Sequence, residues 1–124
     1  MAFTIATANK IIDKILNATN FTEPTSVYVS LHTSNPGENG ASEVTGGTYS
    51  RTVASFSAGA NKTTSNDVII EFDGMPATTV THIGLWDAAS GGNFWWGGAL
   101  TASKTLTAGD TLKIPVGDLD VTLT

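Results

Sequence analysis

The chain has 124 residues, 40% of them apolar and 14% charged, with a formal net charge of −5 and no cysteine. That length allows one domain around one core. Six Lys and Arg spread thinly from Lys10 to Lys113 exclude a phosphate-binding patch and so a nucleic-acid partner, and the missing cysteines exclude disulfides and Cys-based zinc sites. The polar surface must come from Thr, Ser, Asn and Gly. Thr and Ser make up about a quarter of the chain, and Thr suits strands because its branched Cβ packs well on a pleated surface. No apolar run nears the length of a membrane span. The start, MAFTIATANK, lacks the basic and apolar regions of a secretory signal, so synthesis in a cytoplasm is the expectation.

The first element is a helix. Ile5, Ala8, Ile11, Ile12, Ile15 and Leu16 recur at three- and four-residue steps, with Asn9, Lys10, Asp13, Lys14 and Asn17 on the other side, which predicts a helix over about residues 5–18. Thr4 or Thr7 can serve as its N-cap, and Asn17 to Asn20 ends it because those side chains compete for backbone bonds. So short a helix is marginal alone. Its Ile stripe is expected to pack on the domain's own sheet, with docking on a neighbouring subunit as the alternative.

After Pro24 the period changes to two. Val27, Val29 and Leu31 alternate with Tyr28, Ser30 and His32 in a strand over Val27–His32. A glycine-studded loop of about fifteen residues follows, roughly 34–48, and loops of that length in small domains are usually functional or mobile. Asn35-Pro36-Gly37 turns the chain, Glu38 and Glu43 are the loop's only charges, and its glycines let the backbone approach a partner closely. Partner contact is therefore assigned to Asn35, Pro36, Gly37, Glu38 and Glu43. Further strands are expected at Tyr49–Phe56, Asp67–Phe72, Val80–Trp86, Asn93–Leu100, Leu112–Val116 and Leu119–Leu123, with a short one near Lys104–Leu106. Turn signals such as Asp73-Gly74 and Ser90-Gly91-Gly92 separate them. Seven or eight strands at this spacing make a mainly β protein: a two-sheet antiparallel β-sandwich with one N-terminal helix, forming a single domain over residues 1–124.

Chemistry is harder to find. The two histidines, His32 and His82, lie at the polar phase of strands, with no third orienting group for a nucleophile and no third ligand for a metal. Asp87, Asp110, Asp118 and Asp120 match no EF-hand loop. No catalytic residue, cofactor site or metal site emerges. The aromatic run Phe94-Trp95-Trp96 is the other notable signal. In a strand, Trp95 and Trp96 must face opposite sides, so one is core and the other either lies under the helix or is presented as a stacking platform for a sugar or a protein.

The run Leu31-His32-Thr33-Ser34-Asn35-Pro36-Gly37-Glu38, then Gly40, Glu43-Val44, Gly46-Gly47, Tyr49 and Arg51, resembles a family of small bacteriophage virion proteins. So do Val80–Ala88, the strand Asn93–Leu100 and the closing Leu106–Asp110 with Val121-Thr122-Leu123. Such proteins are commonly labelled tail-fibre or minor tail proteins, and some act as head decoration (cement) proteins. Their usual Asp before Pro-Gly is Asn35 here, which keeps the turn and removes a charge. The resemblance implies a non-enzymatic structural protein of the virion, made in the host cytoplasm. It binds capsid or tail proteins, forms a homo-oligomer and needs no cofactor. A small acidic chain without a fibre-forming repeat leans toward the head. The alternatives are a carbohydrate-binding, host-recognition module using Trp95 or Trp96 on a host glycan and, more weakly, a hydrolase with paired carboxylates.

Overall fold

The computed structural model describes residues 2–123. Its elements in chain order are β1 (Ala2–Phe3), α1 (Ile5–Leu16), β2 (Val27–His32), β3 (Thr52–Ala54), β4 (Thr63–Ser65), β5 (Ile70–Met75), β6 (Thr78–Trp86), β7 (Phe94–Leu106), β8 (Asp110–Ile114) and β9 (Asp120–Thr122). Mainly β, antiparallel, with one N-terminal helix: that much of the expected class is borne out. The described strands form a five-stranded sheet in the order β1-β7-β6-β2-β3 and two ribbons, β4-β9 and β5-β8. Nine strands in three sheets stand where seven or eight in two were expected.

The strand alternation sets the faces. Leu31 pairs with Ile83 and Val29 with Leu85 across β2 and β6, so these four side chains share one face. They join Ile70, Phe72 and Met75 of β5, Leu112 of β8, and Leu119 in a continuous apolar core. Val29, Leu31, Ile70, Met75 and Val80 are wholly buried, and each such side chain contributes about 1.5–3 kcal/mol through burial. The opposite face of β2 carries Ser30 and His32, paired with Gly84 and His82.

Several boundaries move, each for a local reason. β3 begins at Thr52 because Tyr49 leaves the strand path. Its hydroxyl accepts the Leu31 N–H at 3.0 Å, and its ring stacks on Phe72, so a side chain occupies the backbone donor that a longer strand would use. β5 begins at Ile70 because the chain before it wraps a buried asparagine. Asn66 donates to the Val68 and Pro115 carbonyls and accepts from the Leu119 N–H, which leaves Val68 and Ile69 exposed. β8 stops before Pro115, which has no N–H to give the ladder. β7 absorbs the short strand expected near Lys104–Leu106 and runs to 13 residues. β4 had no apolar signal at all: Thr63-Thr64-Ser65 pairs with β9 through its backbone.

The helix is where it was expected, capped by Thr4, whose Oγ1 accepts the Thr7 N–H. Ala18 at φ 52° closes it, with the Asn17 and Thr19 N–H groups both on the Asp13 carbonyl. Most of its stripe, however, faces away from the sheet, with only Ala8 and Ile11 half-buried. Ile5, Ile12, Ile15 and Leu16 are 65%, 50%, 71% and 75% exposed, and Thr7 is buried instead. The reason is the anchoring of the first turn. Thr4 N–H and Thr7 Oγ1 both donate to the Trp95 carbonyl, and Lys10 lies over the Trp95 ring. These bonds turn the polar edge of α1 inward and the apolar stripe outward.

Candidate partner-binding surface

The loop from 34 to 48 is held down on the polar face of β2, β6 and β7. His32 is wholly buried. Its Nδ1 lies 2.7 Å from the Ala41 carbonyl oxygen, which can only accept, so Nδ1 carries the proton. Nε2 then accepts from Ser30 Oγ at 2.6 Å, and that hydroxyl in turn accepts the Trp86 indole N–H at 2.9 Å. Burial lowers the His32 pKa from its ordinary value, against the opposing pull of the Ala41 carbonyl and Glu43. The imidazole is thus a neutral strut between strand and loop, with both nitrogens used.

A second clamp sits beside it. Arg51, the single arginine, forks onto Glu43 with Nε–Oε2 at 3.0 Å and Nη2–Oε1 at 2.9 Å. Its Nη1 donates to the Ala88 and Gly91 carbonyls, and its guanidinium lies 3.6 Å from the Trp86 ring centroid. Tyr49 donates to Glu43 Oε2 at 2.8 Å. Desolvation opposes the Glu43 charge, yet the bonds from Arg51 and Tyr49 outweigh it and hold the carboxyl below its usual range. Burial, then Glu43, push the Tyr49 phenol up. Bidentate, stacked arginine is the strong form of such a pair.

Close approach completes the seat. A Cβ on Gly40 (φ +71°) would fall 2.2 Å from Trp86 Cζ2, and one on Gly97 would fall 2.9 Å from Pro36 Cγ. The loop tip stays at the surface. Asn35 Oδ1 accepts the Gly37 N–H at 2.9 Å, and Glu38 accepts the Ile5 N–H at 2.7 Å, linking loop to helix. Asn35, Gly37 and Glu38 are exposed and Pro36 is buried. Together with Phe3, Thr4 and His82 these four residues line an open groove of about 560 Å³.

The structure therefore brings Asn35, Pro36, Gly37 and Glu38 together at one rim. Glu43 lies inside the Arg51 clamp. Trp95 and Trp96 lie elsewhere: Trp95 is 5% exposed, with Lys10 over its ring and Phe21 against it, and half-buried Trp96 meets Phe3 edge-on. Among the described residues the Trp96 indole N–H meets no acceptor, and no three His, Cys, Asp or Glu side chains gather as a metal site would require. From sequence alone no role in holding the loop falls to Arg51, Tyr49, Trp86 or Ser30, although Tyr49 and Arg51 stand in the run that carries the family resemblance. A lone arginine near an acidic, glycine-rich loop was the one available signal.

Residues 2–122 match the model of a family described as podophage GP4 fiber I protein gp80. The chain belongs to that family. It is a phage fibre protein, a structural component of the virion and not an enzyme, as the sequence resemblance implied. The lean toward a head position gives way, since the family is one of fibre proteins. No curated protein matched the chain.

Proposed function

We propose that this chain is a tail-associated fibre component, present in several copies, that meets its virion partner through the rim of the 34–48 loop. Membership of the fibre family over residues 2–122 carries the reading. The clamped loop supports it, because a rim already held by His32 and Arg51 loses little conformational entropy on binding. Asn35, Gly37 and Glu38 offer polar contacts there, above a groove deep enough for a partner side chain. The shared apolar core supports treating the large sheet and the two ribbons as the layers of one sandwich and one domain. A host glycan is the weaker reading: stacking a sugar needs an open indole face, and Trp95 presents none.

The test is occupancy and place. Asn35→Trp at the rim with Asn39→Arg at the exposed position beside it removes the Asn35–Gly37 bond and leaves both clamps in place. Mass spectrometry of purified particles should show the variant depleted at least tenfold, with its circular dichroism unchanged. A label at the exposed Gly59 turn should appear at the tail in imaged particles. Normal occupancy overturns the loop as the contact, and a label on the head overturns the tail assignment.

A further inference from the structure

Helix α1 carries an apolar stripe of which Ile5, Ile12, Ile15 and Leu16 are exposed, while Ala8 and Ile11 are half-buried. Ile5, Ala8, Ile12 and Ile15 follow the three-four spacing of a coiled-coil seam, and Ile11 and Leu16 flank that seam. At 100° per residue, Thr7, Lys10 and Lys14 lie on the opposite side of the helix. Within the helix, Thr7 and Lys10 touch Trp95 of the chain's own sheet. The globular body thus sits directly behind the seam, so helices from several copies can meet with their bodies pointing away from one another.

The area is also sufficient. With Ile5, Ile12, Ile15 and Leu16 half to three-quarters exposed, the stripe offers roughly 500 Å² per copy, near the upper end of the largest apolar patches found on monomers. Two copies facing one another would cover up to roughly 1,000 Å², the lower limit for a specific interface. Isoleucine at successive seam positions, with apolar flanks, suits more than two helices.

We infer that α1 is the self-association element of this protein, its occupant being the same helix of further copies. This deepens the several-copy part of the reading above and rests on it. A helix of 12 residues is marginal alone, so the body must hold it in shape, which the Trp95 and Glu38 bonds do at its first turn.

The natural absence of cysteine makes the test clean. Sedimentation of the full chain should give a mass above that of the monomer, rising with concentration, and Ile12→Glu with Ile15→Glu should return it to the monomer while the melting curve stays cooperative. A short bis-maleimide should cross-link copies through Ile12→Cys and not through Lys14→Cys on the opposite side. A monomer at every soluble concentration, or equal cross-linking through both positions, overturns the inference. Neither result touches the fibre reading, which stands or falls on particle occupancy.

Discussion

Helix α1 and the 34–48 loop exchange the roles their compositions suggest. The helix is apolar along one side and stays in solvent there. The loop is polar and rich in glycine, and it is fastened into the body. In the helix, two hydrogen bonds to one carbonyl and a cation over one indole fix which side faces the sheet. In the loop, a buried histidine, a forked arginine and Gly40 against Trp86 replace the missing apolar side chains. Orientation by a few specific bonds outranks hydrophobicity in both places, and the exposed stripe is then left for another copy to cover.

Breaking the loop clamp should cost most. Arg51→Ala strips the fork from a half-buried carboxylate and frees two carbonyls, and denaturant unfolding should show a loss of about 3–4 kcal/mol. Arg51→Lys should recover only part of this, since an ammonium can neither fork nor stack in the same way. Gly40→Ala comes next, at about 2–3 kcal/mol, because it meets both the Trp86 ring and a left-handed backbone. Gly37→Ala has a similar φ with open space around it and should lose about 1 kcal/mol. The gap between the two measures how tightly the loop is seated.

Acid should loosen the same region in two stages. Burial depresses the His32 pKa, so below the ordinary value of 6.5 the unfolded chain takes up a proton that the folded chain refuses. Stability present above that pH should then fall with acidification, by up to about 1.4 kcal/mol per pH unit within the window. Glu43, also depressed, adds a second loss once the pH drops below the ordinary carboxyl value of 4.5. Melting curves of the native chain and His32→Gln between pH 8 and pH 3 should diverge as the pH falls below 6.5, and both should lose further stability below pH 4.5. The smallest effect belongs to the helix. Ile15→Ser, measured on dilute monomer, should change stability by less than about 0.5 kcal/mol, and a larger loss would mean that the stripe packs on its own domain after all.

The sequence by itself determined the helix from residue 5, the change of period after Pro24, strands β2 and β6, and where the loop begins. In each, side-chain spacing and turn residues act over a few neighbouring positions. It was also enough to place Asn35, Gly37 and Glu38 at the surface and to point to a virion protein. Only the tertiary structure decided which side of α1 meets the sheet, that Tyr49 replaces a strand bond at Leu31, that Thr63–Ser65 pairs with β9, and that Arg51 locks Glu43. Those outcomes depend on partners 8 to 91 residues apart in the chain. Periodicity carries no information about such pairs, because a single hydrogen bond to a distant carbonyl leaves no pattern in the residues around either end.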